Sequence, residues 1–384
     1  MSLTPKFTAL DLFAGAGGWS VACQRLNIQE HAVELMPEAI ATREAAGFPP
    51  LAYEDAWQGL PSSPSHPPLV PAHDILIASP PCQTFSVAGN GQGRRSLDAI
   101  IALITSGAYR HLGQSPSHPS HPSSHIDPRS ALVLTPLAYA YRYRPRFIVL
   151  EQVPSVLPVW QAFQSPLESM GYTTAVGYLH SEQFGVPQTR KRAFLVASLS
   201  TPARPLPPAA LPTPTHSKYY PTDPSRTDPD LPRWVSMREA LSETDPDTAT
   251  DQDFTLRSNY GTSGDAKNRG MRGADQPAPT ITSKAGRMMK LRPELEAWKW
   301  LDKPATTVAG DPRITSREHH YHGEQNATSL RLTAQEAAIL QGFPADFPFQ
   351  GGKGKQFLQI GNAVPPLLAE AVLRALLFPV ANPE

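Results

Sequence analysis

Two stretches of this chain combine residue types and spacing that suit chemistry. The first is Pro80-Pro81-Cys82-Gln83. A free thiol ionises near pH ~8.5, so only a few per cent is thiolate at neutral pH and an activating site is needed. The two prolines stiffen the approach to Cys82, and a polar, Gly-containing stretch from Thr84 to Gln92 leads on to Arg94-Arg95. A stiff turn that presents a thiol beside a flexible basic loop suits nucleophilic attack on an anionic polymer. The second stretch is Phe13-Ala14-Gly15-Ala16-Gly17-Gly18. It can bring backbone close to a ligand at a helix N-terminus. Ser20 stands where a dinucleotide fingerprint has its third Gly, and no Gly-Lys-Ser/Thr follows as in a phosphate-cradling loop. Glu34, seventeen residues after Gly17, is placed to accept hydrogen bonds from ribose hydroxyls. A nucleoside cofactor without a pyrophosphate fits this arrangement better than NAD.

The elements that must position these groups are legible as short apolar runs at Ala9–Phe13, Ala32-Val33, Ile75–Ala78 and Phe147–Leu150. Each is bounded by polar, Gly or Pro residues, as buried parallel strands are. Helical stretches at Trp19–Leu26 and Pro37–Ala46 lie between them. The rhythm predicts an open, doubly wound α/β sheet, whose ligands bind outside the carboxyl ends of the strands. The glycine loop, Glu34, Asp55 (after the weaker run Leu51–Tyr53), Cys82 and Glu151 each follow such a run. All five are therefore expected along one edge of the sheet. Cys23, among Val21, Ala22 and Leu26, reads as a small core residue.

Composition bounds the rest. The 384 residues suit one large unit plus a smaller one, and no apolar run approaches the ~18 residues of a membrane span. Two cysteines exclude a disulfide scaffold and a four-cysteine metal site. The N-terminal segment lacks a secretory layout, so a reducing, cytoplasmic compartment is expected. Net charge is zero but unevenly spread. Residues 221–253 hold three Arg against nine Asp and Glu, and 254–331 hold thirteen Lys and Arg against eight acids. The basic segment marks a charged working surface. Pro61–Pro71 and Gly113–Pro128 are Pro/Ser/His-rich insertions that cannot form a core. His118, His121 and His125 within the second read as a solvated loop, not a metal site. Proline-dense Pro202–Pro232 reads as a linker into a second domain. Asp275-Gln-Pro-Ala-Pro-Thr-Ile281 and Asp302-Lys-Pro-Ala-Thr-Thr-Val308 read as a turn feeding a strand, used twice.

Six motifs, in order along the chain, resemble those of the DNA (cytosine-5)-methyltransferases. They are DLFAGAGGWS at 11–20, SPPCQTFSVAG at 79–89, EQV at 151–153, FGVPQTRKR at 184–192, RLTAQEAAILQGFP at 331–344 and QIGNAVPPLLAEA at 359–371. The resemblance implies a Rossmann-like large domain over 1–200, with 356–384 returning to it, and a smaller, β-containing target-recognition domain over 201–355. It implies S-adenosylmethionine as methyl donor and duplex DNA, with one cytosine flipped out, as substrate. A cognate restriction endonuclease is a possible partner, and a monomer is expected.

By the same resemblance Cys82 is the nucleophile for C6 of cytosine, and Glu151 the acid that hydrogen-bonds N3 and the exocyclic amine. Arg190 and Arg192 hold the flipped base and a nearby phosphate, with Arg192 nearer the base. The cofactor site is expected from Asp11, Phe13 (against the adenine), Ala14, Gly15, Gly17, Gly18, Glu34 (ribose), Leu35, Asp55 (adenine amino group), Ala56, Pro80, Asn362 and Ala363. DNA contacts are expected from Gln83, Ser86, Arg94, Arg95, Gln188, Lys284 and Arg287. Thr333-Ala-Gln-Glu336 reads as a capping box opening a helix, and Ala363–Leu377 as an apolar helix that packs on the large domain.

One position departs from the family: Gln152 stands where Asn usually fixes the Pro-Cys turn. A rearranged hydrogen bond is expected there. Three other readings stay open: an RNA cytosine-5 methyltransferase, a catalytically inactive DNA-binding relative, and a nucleotide-binding oxidoreductase. The long segment after Arg192, the presence of Cys82 and Glu151, and the incomplete glycine fingerprint weigh against them in turn.

Overall fold

The structure, a computed structural model, describes residues 6–60, 70–81, 92–112, 126–242, 254–257, 271–283, 285, 288–291 and 329–379. Strands β1 (Phe7–Leu12), β2 (Ile28–Val33), β3 (Ile75–Ala78) and β4 (Phe147–Gln152) pair in parallel. β5 (Tyr172–His180) and β6 (Lys191–Leu199) complete the sheet as an antiparallel pair, in the order β2-β1-β3-β4-β6-β5. β3 and β4 are buried at every residue, which is why they are continuous apolar runs and not alternating ones.

Helices cover both faces. On one, Leu10, Leu12, Leu76, Ile148 and Leu195 pack under α3 (Gln92–Thr105), α5 (Thr135–Tyr143) and α6 (Leu157–Ser169) through Ile100, Ile104, Tyr139, Trp160 and Phe163. A short α4 (Pro128–Ala131) precedes α5, capped by the Asp127 side chain. On the other face Ala9, Ile75, Ile77, Phe147, Val149 and Val196 lie under α1 (Gly18–Arg25) and a helix from the far end of the sequence. α2 (Pro37–Ala45) opens on a proline whose fixed φ suits a first helical turn.

Pro202–Pro232 runs from β6 to the second region as a docked strap, not a free one. Leu206, Ala209 and Leu211 pack against the second face, Ala209 N–H donates to Thr173, and Tyr219 and Trp234 meet edge to face at 5.2 Å. Proline fixes φ, so a proline-rich strap loses little entropy on docking.

After the strap come α7 (Met237–Ser242) and four three-residue strands, β7 (Thr255–Arg257), β8 (Met271–Gly273), β9 (Met289–Leu291) and β10 (Ser329–Arg331). They form an antiparallel sheet in the order β10-β9-β7-β8. The turn at Asp275 is present, but it feeds a single bridge from Ala278 to Gln188, not a strand. The second copy of that pattern, the two Pro/Ser/His insertions and the three histidines lie outside the described residues, apart from their flanking positions. α8 (Ala334–Leu340) begins on the expected capping box, with Thr333 and Glu336 bonding each other's backbone N–H. α9 (Lys353–Asn362) and α10 (Pro366–Leu377) follow. α10 is the helix that closes the second sheet face: Leu368, Ala369, Val372 and Leu373 are fully buried against it. A third core joins Val21 and Phe48 to Met237, Leu256, Ile281, Leu340, Phe357 and Ile360.

Candidate active site

The strand order reverses between β1 and β3, the crevice where open α/β sheets bind ligands. The glycine loop leaves β1 on one side of it and Ser79-Pro80-Pro81 leaves β3 on the other. The loop is held in an unusual shape. Phe13 has φ 64°, a left-handed conformation that costs an aromatic residue on the order of 1–3 kcal/mol. Ala14 N–H donates to Val33 O at 3.0 Å, and Gly15 N–H to Glu34 Oε2 at 2.7 Å. A Cβ on Gly18 would strike the Val364 carbonyl oxygen, so only glycine lets α1 begin against the Asn362-Ala363-Val364 segment. Beside Gly15 the space is open.

Glu34 also accepts from Leu35 N–H and Met36 N–H through Oε1, so one carboxylate ties the glycine loop to the turn after β2. Leu35 stands 64% exposed beside it, an apolar surface at the crevice. Asp55 caps Trp57 N–H at 3.0 Å. The backbone there is braced from below: Tyr139 O–H donates to Ala56 O at 2.7 Å and meets Tyr53 O–H at 2.9 Å. Sequence reasoning missed both tyrosines because their role depends on packing and not on a motif. Asn362 is exposed at the end of α9, and Ala363 O accepts from Gln341 at 2.7 Å. Phe13, Ala14, Gly15, Gly17, Gly18, Glu34, Leu35, Asp55, Ala56, Pro80, Asn362 and Ala363 thus sit on the turns and helix ends around one edge. Asp11 does not. It is fully buried, and burial and then the Glu30 charge hold its carboxyl well above the usual range.

At the neighbouring strand end Glu151 is 5% exposed. Arg192 Nε lies 3.2 Å from its Oε1. Burial pushes the Glu151 pKa up, and the charges of Arg192 and Arg190 with a hydrogen bond from Ser79 pull against that rise. Arg190 is differently employed. It is buried, and its two terminal nitrogens donate to Ile281 O at 3.0 Å and Gly361 O at 3.1 Å. It therefore acts on Glu151 through charge while fastening the chain after β8 to the end of α9. Gln152 donates to Pro80 O and accepts from Val153 N–H. The rearrangement expected for the longer side chain is a fold-back onto its own neighbour that keeps the contact to the Pro-Cys turn.

Gln188 is a correction. Expected at the DNA surface, it is fully buried, donates to Leu340 O at 3.2 Å and to Gln341, and accepts from Ile281 N–H at 2.7 Å. Residues 187–189 and 278 are zippered through backbone bonds of 2.8 and 2.9 Å, and that parallel pairing turns the Gln188 side chain inward. Cys82, Gln83, Ser86, Lys284 and Arg287 lie outside the described residues. Arg94 and Arg95 lie in the first turn of α3, their side chains undescribed.

A carboxylic acid paired with a guanidinium, next to the Pro80-Pro81 turn and the β1/β3 crevice, can polarise a heterocycle while a group on that turn attacks it. Comparisons with known proteins identify the family. The model of the C-5 cytosine-specific DNA methylases matches residues 7–101 and 114–377. The chain is 28% identical to the type II methyltransferase M1.HphI of Haemophilus parahaemolyticus, over 97% of this chain and 87% of that one. It is 26% identical to the type II methyltransferase M.AplI of Arthrospira platensis, over 98% and 87%. In fold it resembles the Entamoeba histolytica methyltransferase EhMeth, with a TM-score of 0.54 at 14% identity over 96% of this chain and 97% of that one. The chain belongs to the family of C-5 cytosine-specific DNA methylases.

Proposed function

We propose that this DNA cytosine-5 methyltransferase takes its methyl group from S-adenosylmethionine and places it on C5 of a cytosine flipped out of duplex DNA at a specific short sequence. The observation that carries the reading is the convergence of three features on the β1/β3 crevice: the strained glycine loop, the Pro80-Pro81 turn and the Glu151–Arg192 pair. The donor site fits the residues around it. Glu34 and Asp55 offer carboxylates for ribose and adenine, Leu35 and Phe13 offer apolar surface, and the space beside Gly15 is open. Bound there, S-adenosylmethionine supplies an electrophilic methyl carbon.

Cys82 adds to C6 of the base, and the electron pair released by that addition collects at C5. Glu151, whose pKa burial raises against the pull of Arg192 and Arg190, would donate to N3 in its protonated form and accept from the exocyclic amine, so negative charge can enter the ring without building up on it. Arg192 fixes the carboxyl through its Oε1. After transfer, loss of the C5 proton and departure of the Cys82 thiolate restore the aromatic ring. Flipping the base costs a few kcal/mol, and Gln83, Ser86, Arg94 and Arg95 are placed by sequence to close over it.

The region 201–355, with Lys284 and Arg287, would read base edges in the major groove. The enzyme would act as a monomer on DNA in the cytoplasm, as the modification partner of a restriction endonuclease or as an orphan or phage methylase. Labelled S-adenosylmethionine with unmethylated genomic DNA, followed by bisulfite sequencing, tests the whole. Methylcytosine confined to one short motif is expected. Label on transfer RNA and none on DNA would overturn the substrate. The Cys82→Ala variant should bind DNA and cofactor yet transfer nothing, and retained turnover would remove Cys82 from the mechanism.

A further inference from the structure

Tyr139 and Tyr143 stand one helical turn apart on α5, with their rings 5.5 Å from each other. That spacing sets both side chains on one face of the helix. Both hydroxyls reach the same loop, residues 53–60, which carries Asp55 and Ala56. Tyr139 O–H donates to Ala56 O at 2.7 Å, and Tyr143 O–H donates to Gly59 O. A phenol has one proton, so Tyr139, having given its own to Ala56, accepts from Tyr53 O–H at 2.9 Å. Burial raises the pKa of both Tyr53 and Tyr139, so the two keep their protons at any working pH. The approach is so close that a Cβ on Gly59 would strike the Tyr139 and Tyr53 hydroxyls. At its start the loop is pinned to β2, through Ala52 N–H on Ala32 O at 2.9 Å and the parallel bridge of Tyr53 with Val33. Within it Asp55 Oδ1 accepts from Trp57 N–H at 3.0 Å, and Asp55 O from Gln58 N–H at 2.9 Å.

We propose that Tyr139 and Tyr143 are positioning residues that hold the Asp55-Ala56 turn at the cofactor's base, and so make the site select a purine with an amino group over one with a carbonyl at the same place. The proposal rests on the reading of Asp55 as the partner of the adenine amino group. A carboxylate on a loose loop can turn to water when the amino group is replaced, so it discriminates little. One held in place is left facing an acceptor it cannot pair with, and the wrong base is rejected. The hydroxyls of α5 supply that restraint, because they fasten main-chain atoms on the C-terminal side of Asp55 to a helix packed in the core. Tyr139→Phe leaves Ala56 O and Tyr53 O–H without their partner. The turn must then be ordered by the ligand, which weakens binding of the adenosyl group. The same slack relieves the clash with a carbonyl, so selectivity falls from both sides.

The test is titration calorimetry with S-adenosylhomocysteine and S-inosylhomocysteine, which differ only in that amino group and carbonyl, on the full chain without DNA. Tyr139→Phe and Tyr143→Phe are compared with Asp55→Ala and with Tyr172→Phe. Tyr172 is the matched control: it is buried, and its hydroxyl donates to Pro145 O at 2.6 Å at the opposite edge of the sheet. The unaltered protein is expected to prefer the adenosyl ligand by about a hundredfold. Tyr139→Phe should weaken adenosyl binding about tenfold and cut the preference by as much, and Tyr143→Phe should do so about threefold. Tyr172→Phe should lower the thermal midpoint and keep the preference whole. If Asp55→Ala abolishes the preference but neither α5 variant reduces it, the brace is wrong and the Asp55 reading stands. If Asp55→Ala keeps the preference, that reading falls and the proposal falls with it. If Tyr172→Phe reduces the preference as much as Tyr139→Phe, the effect follows stability alone and the proposal also fails. Should Tyr139→Phe not fold, Tyr143→Phe decides, and an unchanged preference there overturns the proposal.

Discussion

The six-stranded sheet and the four-stranded one hold their functional residues by different means. In the first, β1, β3 and β4 are central strands with long parallel ladders, and the groups at their ends inherit their positions from backbone pairing. In the second, strands of three residues supply few ladder bonds, and side chains bear more of the connection. Gln188 and Arg190 bond main-chain atoms at Leu340, Ile281 and Gly361, and Arg272 bonds Pro277 O at 2.9 Å while lying 4.4 Å over the Tyr219 ring. A catalytic edge set by ladders tolerates changes in the side chains it presents. A region held by polar side chains depends on them to stay in place.

Two arginines two positions apart test that contrast most severely. Arg190→Ala leaves the Ile281 and Gly361 carbonyls unsatisfied in the interior and should cost on the order of 3 kcal/mol of stability. Arg192→Ala should leave the urea midpoint nearly unchanged yet slow transfer by roughly a hundredfold, the scale of losing one charged donor at a reacting centre. Equal effects of the two on stability would erase the distinction. Gln188→Ala comes next, with a loss of about 2 kcal/mol in denaturation. Any fall in DNA affinity should follow the loss of fold and leave the salt dependence of binding unchanged. A normal midpoint with a weakened DNA complex would return Gln188 to the interface.

Glu182 sharpens the comparison through pH. It is buried on the 3₁₀ turn after β5, and burial lifts its pKa to about 7. His180, 3.7 Å away, is pushed down to about 4, mainly by burial and then by Lys218 and Lys191, and stays neutral where Glu182 ionises. A carboxyl whose pKa is raised on folding favours the folded state at low pH, and that advantage is lost as pH climbs from the unfolded value through about 7. Glu182→Gln should therefore stabilise the protein at pH ~8 by on the order of 2 kcal/mol and change little at pH ~4. The smallest effect is expected from Thr333→Ala, which removes one arm of the capping box on α8 for about 1 kcal/mol, read as a shift in thermal midpoint.

Much of the catalytic edge was legible because strands buried on both faces must be continuous apolar runs, as Ile75–Ala78 and Phe147–Leu150 are. The same logic hid β5, whose exposed and half-buried residues in YTTAVGYLH give no such run. The three-residue strands left no period to read, since tertiary pairing and not propensity makes them strands. Pro202–Pro232 misled because composition reports the lack of a helix or strand, and says nothing about docking. Gln188 misled because its place beside Arg190 and Arg192 is a fact of sequence, while its direction is decided by pairing with Ala278. Trp19 and Ser79 lie in two separate motifs, and only the 3.0 Å bond from Trp19 Nε1 to Ser79 Oγ shows that the two meet.

The docking of α10 has a consequence for biosynthesis. The sheet face made by Ala9, Ile75, Ile77 and Phe147 finds its cover in residues that leave the ribosome roughly 350 positions after β1. At ~5–20 residues per second, the nascent chain carries that half-covered face, with α1 but not α10 over it, for tens of seconds. It cannot complete its catalytic layer, or start marking DNA, until Pro366–Leu377 has emerged and folded back. Slowing synthesis prolongs the interval, so a holding chaperone should raise soluble yield more for this chain than for one whose layers form in order.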